Sequence, residues 1–352
     1  MNITNHIARI QQKIASSERY EDYVPELEEY KQFLESLLLQ NPKDVAAICQ
    51  LASVYNELRY DYADCISPME AILNDDLSPA DKIRLYTNLA FYHEDWSRSG
   101  EEARCYLEAA IALSPNTSHA FDALGRLYLD SDAARSLSLF KKACELENKL
   151  DYQYNYAVAL YSNGFYEEAK AMFESLLSEH QNDLRVHYGL GVCLYYLGQI
   201  EQALKIADTL KIEKVRRDDY IGESQVADLY FLCGEYEKHN CMYDNSRYWP
   251  DITWLAPYFY GTKVNGNPEA GERLLSDVIK GIDEDIANIE TDDDCPPAEK
   301  EEYILSCNKK LSDIIETHAK IMSGGFKPEV KIKLWCIYGC YLIDCVRHQQ
   351  QI

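Results

Sequence analysis

The chain has 352 residues, with 59 acidic against 35 basic side chains and a formal charge of −24. Generic nucleic-acid binding and docking on anionic membranes both need cationic surface, so this balance argues against them and makes a basic partner the natural expectation. The 12 cysteines are scattered without a CxxC pair, no apolar run is long enough to span a bilayer, and the amino terminus lacks a signal-peptide pattern; a reducing, cytoplasmic setting is expected.

In chain order, residues 3–17 and 25–40 read as two amphipathic helices that stop at Asn41-Pro42, a capping hairpin over 1–44. Over 45–250 one pattern recurs about six times. A small residue sits mid-helix (Ala52, Ala90, Gly125, Ala157, Gly191, Ala227), then a turn, then a second amphipathic helix. The interval is roughly 35 residues, which means stacked helical hairpins, because no single hairpin buries its own apolar face. The clearest copies are YNYAVALYSNGFYEEAKAMFESLL (154–177) and YGLGVCLYYLGQIEQALKIADTL (188–210). In them Gly164 and Gly198 supply the left-handed turn, and Ala169 and Ala203 are the matching small residues of the second helix. Other copies are looser: the first carries Pro68 in its second helix, and the sixth loses the pattern after residue 237.

Residues 253–282 suggest a further hairpin, turning at Asn265-Gly266-Asn267-Pro268. The stretch 283–302 holds ten acids and one Lys and is expected to be an acidic inter-helix loop. Helices over roughly 298–322 and 328–349, linked by Ser323-Gly324-Gly325, would complete a C-terminal helical module over 251–352. No segment alternates long enough to argue for a sheet.

The repeats resemble the tetratricopeptide repeat family: the small residue of helix A, the turn Gly, the aromatic after it (Tyr166), the Ala of helix B and a closing Pro (Pro115). The resemblance implies an all-α chain, a right-handed superhelical solenoid with helical caps at both ends. It also implies that helix A of each repeat lines a concave groove holding a protein or peptide. Laid over this sequence, groove positions fall on His119, Asp122, Arg126, Leu129 and Asp130 in repeat three. In repeat four they fall on Asp151, Tyr154, Val158, Tyr161 and Ser162, and in repeat five on Arg185, Tyr188, Val192, Tyr195 and Tyr196. Some family members clamp a C-terminal carboxylate; Asn155 and Arg185 match that clamp, but Asp122, Arg126 and Gly189 replace its other members. An acid at the clamp's centre would repel the carboxylate. The expected contact set is therefore Asp122, Arg126, Asp151, Tyr154, Asn155, Tyr161, Arg185, Tyr188, Tyr195 and Tyr196. An excess of 28 Tyr over 9 Phe fits a binding face, since Tyr joins a wide apolar body to a hydroxyl.

No glycine-rich phosphate loop, GxSxG, HExxH or paired Cys/His metal spacing occurs, so no catalysis, cofactor or metal is expected. His239 near Cys241 comes nearest to a dyad. Cys336 and Cys340, four apart on the last expected helix, come nearest to a metal half-site and read as core cysteines. The sequence thus points to a cytoplasmic, non-enzymatic interaction module holding a basic protein or peptide, and neither nucleic acid nor membrane, in a Tyr-lined acidic groove. The alternative is a bacterial immunity protein or secretion-type chaperone that sequesters a toxin or effector domain. Oligomeric state is left open.

Overall fold

A computed structural model describes residues 3–95, 100–113, 116–214, 221–244, 251–343 and 345–348; Pro115 lies outside these. Seventeen α-helices and no strand occur among the described residues. The chain divides into two compact units, Met1–Phe165 with Trp335–Ile352, and Tyr166–Leu334.

The first unit holds α1 (Ile3–Ser16), α2 (Val24–Gln40), α3 (Val45–Glu57), α4 (Tyr62–Glu70), α5 (Pro79–Asp95), α6 (Gly100–Ala112), α7 (His119–Tyr128), α8 (Ala133–Leu146) and α9 (Leu150–Ser162). Helix starts are set by side-chain caps: the Asp44 carboxylate accepts from Ala47 N at 3.0 Å, and Asp132 from Arg135 N at 3.0 Å. The core passes from repeat to repeat. Leu27, Tyr30 and Leu34 pack on Ala47, Leu51 and Val54. Cys49, Ala52 and Met69 pack with Leu85, Leu89 and Tyr92, and Ala90, Ala103 and Leu107 with Ala120, Ala123 and Leu124. Each helix thereby buries one stripe against the hairpin before and another against the hairpin after. The small residues permit this approach: a Cβ on Gly125 would stand 2.9 Å from the Phe140 ring.

The second unit holds α10 (Tyr166–Glu179), α11 (Leu184–Tyr196), α12 (Ile200–Lys214), α13 (Glu223–Leu232), α14 (Tyr236–Asp244), α15 (Ile252–Val264), α16 (Pro268–Thr291) and α17 (Pro297–Met322). Gly198, Gly234 and Gly266 turn its hairpins at φ 75°, 84° and 72°. Leu255, Phe259, Ile282, Ile314 and Ile321 form the core joining α15, α16 and α17. α14 is helical where the repeat pattern fades in the sequence.

Two expectations are corrected. The acidic stretch 283–302 is not a loop: α16 runs to Thr291 and α17 starts at Pro297. Leu275, Val278, Ile282 and Ile286 keep one apolar stripe facing the core, while Asp283, Glu284 and Asp285 are exposed. An amphipathic helix tolerates many acids when they share the solvent side. The helix expected over 328–349 does not occur among the described residues, and α16 and α17 are the last helices of the C-terminal module. From Phe326 onward the described chain is extended and ends in bends. Ile332, Leu334 and Cys336 are buried while Lys331, Lys333 and Trp335 are exposed, the period of two that an extended chain imposes.

Candidate functional site

The described residues of 335–348 run along α3, α5, α7 and α9, the first helices of four successive repeats. Two asparagines hold this segment by its backbone. Asn155 on α9 donates from Nδ2 to Ile337 O at 3.0 Å, and its Oδ1 accepts from Ile337 N at 2.7 Å. Asn88 on α5 repeats the same pair on Ile343, at 3.0 and 2.7 Å. A carboxamide carries one donor and one acceptor edge, so it can satisfy both backbone groups of one residue as a neighbouring strand would. On α3, Ser53 Oγ accepts from Val346 N at 3.0 Å.

Acidic and aromatic groups flank these anchors. Asp122 Oδ1 accepts from Asn155 Nδ2 at 2.9 Å, which fixes the orientation of that amide, and Asp122 Oδ2 accepts from Arg126 Nε at 3.2 Å. Burial pushes the Asp122 carboxyl up, against the pull of Arg126 and Asn155. Burial works against the charge on Arg126, yet Asp122 and Glu94 hold its pKa above the ordinary value. The Arg126 guanidinium lies 4.8 Å from the Tyr338 ring and 5.3 Å from the Tyr341 ring. Tyr341 donates to Glu94 at 2.6 Å and meets Phe91 edge to face. Arg347 donates to Glu57 at 2.6 Å and to the Tyr23 hydroxyl at 2.8 Å. Leu342 and Cys345 enter the core beside Cys49 and Met69, and Val346 joins Leu27 and Leu51. Such a surface binds an extended chain through backbone bonds and side-chain burial.

Four of the sequence-predicted residues gather here. Asp122, Arg126 and Asn155 form the network above, and Asp151 Oδ2 stands 3.6 Å from where a Gly339 Cβ would lie. Tyr154 and Tyr161 are buried, at 3% and 9% exposure. In the second unit, Tyr188 is buried and Arg185 is paired with Asp183, Nη2 to Oδ2 2.7 Å. Tyr196 is exposed and stacks on Tyr166 at 4.8 Å. Tyr195 and Tyr196, with Phe231 and Leu232, line a hollow of about 590 Å³ whose remaining wall is residues 327–332. His239 is buried against Asn240 Oδ1 at 2.8 Å, and burial lowers its pKa.

The sequence reading missed Ser53, Glu57, Asn88 and Glu94. A signal for Asn88 existed: it stands two residues before Ala90, as Asn155 stands two before Ala157.

Residues 160–220 match the family profile described as tetratricopeptide repeat. No curated protein is similar in sequence at a significant level. Among solved structures, RapI in its apo form aligns with a TM-score of 0.51 at 15% identity, over 92% of this chain and 99% of that one. A tetratricopeptide repeat protein from Parabacteroides merdae aligns at 0.45 and 16% identity, over 68% and 91%. Yeast Tom70 aligns at 0.45 and 14%, over 92% and 68%. The fold is an all-α stack of helical hairpins, and the stretch 160–220 within it is similar to the tetratricopeptide repeat.

Proposed function

We propose that this chain is a non-enzymatic interaction module whose A-helix face in the first unit takes an extended, basic and aromatic polypeptide. Its own segment 335–348 is the resident occupant. The observation that carries this reading is the pair of bidentate asparagines, which hold the backbone of Ile337 and Ile343 without regard to side chain. Main-chain bonds of this kind supply affinity, and flanking pockets supply choice. Here the flanking groups are Arg126 for aromatic rings, Glu94 for a hydroxyl and Glu57 for a cation. A partner segment with the same chemistry competes with the resident one.

The test uses the full chain with Tyr341→Ala and Arg347→Ala, which loosen the resident segment but leave both asparagines. A labelled peptide copying residues 335–348 is expected to bind this variant at least about tenfold more tightly than the unaltered chain, the effect of about 1.4 kcal/mol of lost competition. Equal or absent binding to both would show that the face is a closed structural junction.

A further inference from the structure

Three metal-ligand atoms meet at the end of the extended segment. Cys340 Sγ, Cys345 Sγ and a ring nitrogen of His348 all lie within 4.8 Å of one another. Cys345 Sγ and His348 Nδ1 are 3.6 Å apart. A sulfur at about 2.3 Å and a nitrogen at about 2.05 Å from a tetrahedral zinc ion are themselves about 3.6 Å apart. This pair therefore already stands at coordination spacing. All three ligands come from one Cys-x4-Cys-x2-His stretch, so no other element has to move to complete the set.

Three residues between the ligands are held in place. Asn88 fixes Ile343, Ser53 fixes Val346, and Glu57 with Tyr23 fixes Arg347. Cys345 N donates to Leu342 O at 3.3 Å, tightening the turn. These anchors alternate with the ligands at 340, 345 and 348, so most of the ordering is done before an ion arrives. Access is graded: Cys345 is buried, Cys340 half-buried and His348 exposed. Cys340 borders a hollow of about 390 Å³ shared with Phe91, Glu94 and Arg126, which offers an entry path. Neither cysteine is in a disulfide. Two sulfurs and an imidazole suit a soft or borderline d¹⁰ ion, whereas magnesium and calcium prefer all-oxygen shells.

We propose that Cys340, Cys345 and His348 form a binding site for a thiophilic d¹⁰ cation such as zinc(II), with the fourth coordination position open. The site is independent of the peptide-binding reading, because every ligand belongs to the anchored segment itself. An ion bound there closes residues 340–348 into chelate rings and staples the end of that segment.

The test is titration of the reduced, chelator-stripped full chain with cobalt(II), followed by zinc(II). One equivalent of cobalt is expected to bind with sulfur-to-metal charge-transfer absorption, and zinc to displace it. Cys340→Ser and His348→Ala are each expected to weaken zinc binding by at least about tenfold, a loss seen even for residues that only support a ligand. Cys105→Ser, at an exposed thiol elsewhere, leaves affinity unchanged. Because His348 is exposed, His348→Ala keeps the metal-free melting temperature, which separates ligand loss from misfolding. No thiolate–cobalt band, or undiminished zinc affinity in either ligand variant, overturns the proposal.

Discussion

Arg59 is the one described residue other than glycine with positive φ, 61°. It occupies the turn position that Gly164, Gly198 and Gly234 hold in later repeats, the same distance after the small residue. The left-handed conformation costs a side chain with a Cβ about 1–2 kcal/mol. Against this, the Arg59 guanidinium sits 4.5 Å from the Tyr20 ring, an exposed cation–π contact of about 0.5–1 kcal/mol. The relief exceeds the loss, so Arg59→Gly is expected to raise the urea midpoint, by at most about 1 kcal/mol in stability. A lowered midpoint would show that the contact with Tyr20 dominates. Gly125 poses the opposite problem. A methyl there would sit 2.9–3.1 Å from three atoms of the Phe140 ring, and that ring is fully buried. Overpacking of this kind costs about 1–3 kcal/mol, so Gly125→Ala is expected to lower the melting temperature. An unchanged value would mean that α7 and α8 part without resistance.

The element that decides the chemistry is the extended segment. Asn155→Ala removes two hydrogen bonds to Ile337 and strips Asp122 Oδ1 of its donor. Paired bonds of this kind are worth about 1–3 kcal/mol, so amide exchange at Ile337 should accelerate roughly 10- to 100-fold in Asn155→Ala, and at Ile343 in Asn88→Ala. Exchange in the α2 core should stay unchanged. Rates that do not move would assign the hold to the buried side chains of Leu342 and Val346 instead. The sequence made the hairpins legible because Ala157, Gly164, Ala169 and their counterparts recur at fixed positions. It hid this segment for two physical reasons. Cys336 and Cys340 mimic a helical stripe, while the alternation of Lys331-Ile332-Lys333-Leu334 is short and broken by Gly339. The partner groups, moreover, come from helices far away in the chain. Asn155 stood in the expected contact set, but nothing in its position in the sequence pointed to a backbone as what it holds. The groove tyrosines are ambiguous for a related reason: a Tyr on helix A serves equally well as packing, and Tyr154 and Tyr188 are buried.

At the scale of the whole molecule, two buried groups, one in each unit, respond to pH in opposite senses. In the first, burial pulls His119 on α7 down to about 4, with Lys149 assisting, and its Nδ1 lies 2.9 Å from the Tyr152 hydroxyl. A folded pKa below the unfolded value means stability that is complete above about pH 6.5 and lost as pH falls towards 4. In the second, burial raises Asp228 on α13 to about 7. A folded pKa above the unfolded value means stability that is complete below about pH 4 and lost as pH rises through 7. Between pH 4.5 and 6.5 the two slopes oppose, each on the order of 1–3 kcal/mol across the window. The contributions of these two groups should therefore largely offset each other there. Asp228→Asn should gain stability relative to the unaltered chain as pH rises, and His119→Gln should gain relative to it as pH falls. Urea unfolding at several pH values gives both difference curves, and flat curves would remove burial as their cause. Hydrogen exchange adds the location: acid should open α7 first, and pH near 8 should open α13 first. The net charge of −24 supplies a background repulsion that salt screens, so the comparison belongs at one fixed ionic strength.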